Sequence, residues 1–90
     1  MLSLTKGLAN DLAEKRIRVN TVVPGAVKTP LWGKLGQTEA QQEEAWRAAA
    51  ARLPVDFVAT PEDVAEAYVY LVRADYANGT LVVIDGGALI

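Results

Sequence analysis

Neither cysteine nor histidine occurs in the 90 residues. Without cysteine the chain has no disulfide and no thiol nucleophile. Without either residue the usual zinc site is excluded, so no metal site is expected. No apolar run approaches the roughly 20 residues of a membrane-spanning helix, so no membrane partner is expected. Met1 is followed by a helical pattern holding Lys6, Asn10 and Asp11, which is not a signal peptide, and a cytoplasmic location is expected. There is no dense basic block, and the formal net charge is −2. The short Lys15-Arg16-x-Arg18 cluster reads as a helix C-terminus, where cations are favoured, and not as a nucleic-acid contact.

What is present is an apolar, alanine-rich composition, 51% hydrophobic and 22% charged. The length suits one small unit, and such a unit buries only about 60–65% of its unfolded surface, so its stability margin is thin. Residues 1–15 read as an amphipathic helix with Leu4, Leu8 and Leu12 four residues apart and Ala9 beside them. It lacks a clear N-cap, so the helix is expected to start earlier than Met1. Residues 17–23 are rich in β-branched side chains and read as a strand ended by Pro24-Gly25. A loop follows over 25–38, with a short helical turn near Leu31-Trp32. Thr38 and Gln41 form a capping box that opens a helix to about Arg52. Thr60-Pro61-Glu62-Asp63 opens a second helix, to about residue 74, with Val64, Ala67, Tyr68, Leu71 and Val72 on one face. Asn78-Gly79 is a turn, and Thr80–Ile84 is a continuous apolar strand of the kind covered on both faces. Two apolar strands joined through helices predict a parallel pair, and two strands make a poor sheet alone. The expected class is α/β, one end of a larger doubly wound sheet. The pairs Glu43-Glu44 and Glu62/Glu66 read as solvated helix faces, and Trp46, among alanines, reads as a packing residue.

Four segments carry a family resemblance. Ile17-Arg-Val-Asn-Thr-Val-Val-Pro-Gly25, followed by Ala-Val-Lys-Thr-Pro30, resembles the sixth strand and cofactor loop of the short-chain dehydrogenases/reductases. Leu2–Ala9 resembles the helix downstream of that family's catalytic Tyr-x-x-x-Lys. Ala59-Thr-Pro-Glu-Asp-Val-Ala65 resembles the opening of its last large helix, and Asn78–Gly87 its seventh strand with the Asp-Gly-Gly that follows. Together they cover nearly the whole chain, in order and at fitting spacings.

The resemblance implies that residues 1–90 are the C-terminal portion of a single NAD(P)-binding Rossmann-fold domain: helix, strand 6, loop with helix, helix, strand 7. It implies NAD or NADP as cofactor and a small alcohol or carbonyl substrate. Pro24 and Gly25 would turn the backbone toward the nicotinamide ring, the backbone of Val27 would bond its carboxamide, and the Thr29 hydroxyl would reach the carboxamide or pyrophosphate. Leu31 and Trp32 fall where the family has a mobile lid over substrate. The family's Gly-rich turn has no counterpart, since no Gly-x-Gly occurs. Its catalytic Ser, Tyr and Lys have none either: Tyr68, Tyr70 and Tyr76 are followed four residues on by Val72, Ala74 and Thr80, and Ser3 is the only serine. No catalytic residue is therefore assigned, and the isolated chain is expected to be inactive. The alternative is a non-catalytic module that self-associates through residues 1–15 and 61–84, the segments matching the family's subunit contacts; a fragment that folds poorly is a third outcome.

Overall fold

The computed structural model describes residues 2–89, apart from the Trp32 side chain. The chain runs α1 (Leu2–Leu12), a 3₁₀ turn (Ala13–Lys15), β1 (Thr21–Pro24), α2 (Leu31–Lys34), α3 (Glu39–Ala51), α4 (Pro61–Arg73) and β2 (Leu81–Ile84). β1 and β2 pair in parallel, with Thr21 opposite Leu81 and Pro24 opposite Ile84. The class is therefore α/β with a parallel pair at its centre, as expected.

Both predicted capping boxes form. The Thr38 hydroxyl accepts from the Gln41 N–H while the Gln41 side chain accepts from the Thr38 N–H. Thr60 and Asp63 do the same at α4, with Pro61 in the first turn. Each box satisfies two N–H groups that a helix start leaves without intrahelical partners. Thr60→Ala should cost about 1 kcal/mol. At this chain length that lowers the thermal midpoint by about 4–8 °C, readable by circular dichroism.

Side chains on a strand alternate between faces. The Thr21 hydroxyl is hydrogen-bonded to that of Thr5 on α1. Val22, the next residue, lines a groove with Tyr68 and Leu71 of α4. The two helices thus take opposite faces of the strand pair. The buried core is small: Ala9, Val58, Ala67 and Leu71, with Thr5. These are mostly short side chains and remove little apolar area from water. The radius of gyration is 16.4 Å, against about 12 Å for a closed domain of this length.

Five expectations change. The strand predicted over 17–23 pairs as a ladder only from Thr21; residues 17–20 are held by side chains and by two backbone bonds, Gly79 N–H to the Val19 carbonyl at 2.9 Å and Ile17 N–H to the Leu12 carbonyl at 3.3 Å. Arg18 donates to the carbonyls of Leu71 and Ala77 at 3.0 Å each and to that of Val72 at 3.4 Å. Asn20 donates to the Ala77 carbonyl and accepts from the Thr80 N–H. Arg18 therefore does serve a helix C-terminus, but that of α4 and not of α1. The face that α1 presents to the strands is Thr5 and Ala9, leaving Leu4 66% and Leu8 41% exposed. On α4, Ala67 and Leu71 turn inward while Tyr68 and Val72 stay exposed. β2 is not covered on both faces, since Val83 is 46% exposed. α1 meets that face at Thr21, at the start of the pair, and Val83 lies two residues further along it.

Candidate functional site

The segment after β1 leaves the C-terminal end of the parallel pair, the place where open α/β sheets hold ligands. Three contacts fix it. The Gly25 N–H donates to the Ile84 carbonyl at 2.9 Å. Val27 forms a parallel bridge with Ala59, and the Lys28 N–H donates to the Ala59 carbonyl at 2.8 Å.

A Cβ on Gly25 would stand 2.8 Å from the Asp85 Cα and 2.9 Å from its Cβ. The absent side chain at this position thus lets the ends of β1 and β2 approach each other. Gly25 has no positive φ, so close approach and not backbone freedom is what requires glycine here.

Pro24 and Thr29 are exposed, while Gly25 and Val27 are half-buried. The bridge to Ala59 leaves the N–H and C=O of Val27 without a hydrogen-bond partner among the described residues, and the Thr29 hydroxyl likewise. The loop therefore offers one backbone donor, one backbone acceptor and one hydroxyl, a set that matches a planar carboxamide, which needs both a donor and an acceptor. Leu31, the first residue of α2, is exposed. The predicted lid position at Trp32 lies outside the described residues. Trp46 is half-buried and lines an open groove with Lys28, Arg47 and Phe57.

No motif in the sequence announces the strap between α3 and α4, residues 52–60. Its Val55 N–H donates to the Gly86 carbonyl at 3.4 Å, while Ala59 bridges Val27. The strap thus joins the loop after β1 to the turn after β2. Gly86 has φ +65°, and a Cβ there would stand 2.8 Å from a Val55 methyl, so only glycine fits both the turn and the strap. The signal available was the apolar content of Leu53, Val55, Phe57 and Val58, too apolar for a free connection. No cluster of three or more potential metal-ligating side chains occurs among the described residues.

The family model described as enoyl-(acyl carrier protein) reductase matches residues 1–88. The chain is 44% identical over 88 residues to 3beta-hydroxysteroid dehydrogenase 1 of Eggerthella lenta, covering 93% of this chain and 31% of that protein. It is 36% identical over 92 residues to the 3-oxoacyl-(acyl-carrier-protein) reductase of Thermotoga maritima, covering 100% of this chain and 35% of that protein. The crystal structure of a small-chain dehydrogenase in complex with NADPH superposes with a TM-score of 0.82 at 35% identity, covering 98% of this chain and 38% of that one. The chain spans about a third of the length of the curated relatives it matches.

Proposed function

From the premise that this chain belongs to the short-chain dehydrogenase/reductase family, with the Rossmann-like α/β fold of its structural neighbours, we propose that residues 1–90 are the C-terminal portion of a single NAD(P)-binding domain. The parent protein is an oxidoreductase that acts on small alcohols or carbonyl compounds. One observation carries this reading: the loop after β1 holds at Val27 a backbone donor and acceptor with no partner among the described residues, half-buried at the C-terminal end of the parallel pair.

NAD or NADP, when bound, supplies or accepts the hydride. This chain's own residues bind and orient. The Val27 N–H and C=O would hold the carboxamide. The Thr29 hydroxyl adds a hydrogen bond to the carboxamide or the pyrophosphate. Pro24 and Gly25 set the height of the loop above the strand end, and Leu31 with Trp32 form the substrate lid. Carbonyl reduction also needs a positioned proton donor, and no residue of this chain is assigned that role.

Two outcomes test this. The purified chain with NADPH and a carbonyl substrate is expected to oxidise no cofactor above background; a rate that Thr29→Ala abolishes would overturn the assignment of catalysis to the longer parent. In a protein carrying the complete domain, Thr29→Ala should weaken cofactor binding about 2–10-fold, the worth of one hydrogen bond, as read by calorimetry. Unchanged affinity would remove Thr29 from the site.

A second reading rests on the exposed apolar side chains of α1 (Leu2, Leu4, Leu8) and α4 (Tyr68, Val69, Tyr70, Val72). It makes residues 1–15 and 61–84 surfaces of self-association. Sedimentation that depends on concentration in the native chain, and is lost in Leu8→Glu, would favour it; a monomer at all concentrations would sink it.

A further inference from the structure

Beside the cofactor loop lies a cavity of about 280 Å³ between the strap, α4 and the end of β2. Its apolar wall is Leu53, Val55, Phe57, Ala67 and Ile84. Of the loop only Ala26 reaches it; Pro24, Val27 and Thr29 do not line it, so it is separate from the contacts assigned to the cofactor.

The charges around it are of one sign. Asp63, Glu66 and Asp85 line it, and no lysine or arginine does. Asp63 uses one carboxylate oxygen, Oδ2, in the α4 capping box, and Asp85 uses Oδ1 to accept from the Gly87 N–H. Each keeps its second oxygen, and Glu66 keeps both, with no ion pair to any of the three among the described residues. Three carboxylates around one opening, Glu66 exposed and Asp63 and Asp85 half-buried, give it a negative potential. An anion is repelled there, and a neutral apolar ligand leaves that potential uncompensated. An aromatic ring in the wall, that of Phe57, adds attraction for a cation. The volume falls just below the roughly 300–1,000 Å³ of drug-sized ligand sites, which limits the occupant to one ring or a short branched chain.

We infer that this cavity is a binding site for a small organic ammonium ion. Its apolar body lies against Leu53, Val55, Ala67 and Ile84, and its charged head is held by Glu66 with the free oxygens of Asp63 and Asp85.

The test is a ¹H–¹⁵N NMR titration of the full 90-residue chain with 2-phenylethylammonium, 2-phenylethanol and 3-phenylpropionate. These probes share one ring and differ in charge. The ammonium is expected to bind about tenfold more tightly than either of the others, the margin of a charged over a neutral hydrogen-bonded contact. Its shifts should centre on the amides of Ala26, Val55, Ala67 and Gly86, and added salt should weaken it. Glu66→Gln, on an exposed helix position, should leave the spectrum folded and lower the ammonium's affinity about 3–10-fold. Val55→Trp, which fills the cavity, should abolish binding; if that variant unfolds, Glu66→Gln decides alone. Equal affinity for the alcohol and the ammonium, shifts centred elsewhere, no saturable binding, or an unchanged affinity in Glu66→Gln would each overturn the assignment. None of these readouts depends on the cofactor, so the proposed function and this site fail independently.

Discussion

Gly25→Ala is expected to lower the thermal midpoint by about 8–16 °C, from a cost of about 2 kcal/mol. The added Cβ falls 2.8 Å from the Asp85 Cα and 2.9 Å from its Cβ. The first of these is backbone, which no rotamer change can move aside. Relief requires the ends of β1 and β2 to separate, and that stretches the 2.9 Å bond from the Gly25 N–H to the Ile84 carbonyl. For a chain whose whole stability is about 5–13 kcal/mol at best, the loss is a large fraction. Gly25→Val adds volume at the same point and should abolish cooperative melting. The double variant Gly25→Ala/Asp85→Gly removes one of the two close contacts and should recover part of the loss. A Gly25→Ala midpoint within a degree or two of the native one would show that the strand ends are not held this closely.

Arg18→Ala is expected to cost about 2–3 kcal/mol, measured by urea unfolding. The guanidinium reaches three carbonyls at and beyond the C-terminus of α4, those of Leu71, Val72 and Ala77. Hydrogen bonds to a charged group contribute about 1.5–3 kcal/mol, and a cation at a helix C-terminus adds to that. Arg18→Lys keeps the charge but loses the planar fork that spans separate acceptors, so it should restore about half. Arg18→Met keeps much of the stem and separates packing from hydrogen bonding. If Lys and Met behave alike, charge has no part in holding this corner. Amide exchange should rise most over residues 74–80, where Arg18 and Asn20 tie the chain together.

Much of this fold is legible along the chain because its signals are local. A capping box is written in four consecutive residues, and both of them form as expected. The turn at Asn78-Gly79 and the break after Pro24 are equally local. What could not be read depends on separation in sequence. Arg18 has no nearby partner to announce its role, since its acceptors lie more than fifty residues away. The leucine spacing of α1 gives the correct period but not the correct face, because the strand pair accepts the small Thr5 and Ala9. The residues of the candidate loop were nameable through the family resemblance. The strap that braces the loop from the far side was not, for its partners Val27 and Gly86 flank it at a distance of some thirty residues each way.

The parallel ladder also sets a clock. Thr21 pairs with Leu81, sixty residues on (81 − 21). Closing such a loop costs roughly 3–4 kcal/mol by the (3/2)RT ln n relation, before any ladder bond repays it. The intervening helices involve only neighbours and form within about a microsecond. β1 therefore has to wait for β2, and on the ribosome the wait is about 3–12 s at 5–20 residues per second. Throughout that interval the edge of Thr21–Pro24 that β2 takes stays open to any other nascent strand. The slow step in pairing these two strands is the arrival of β2.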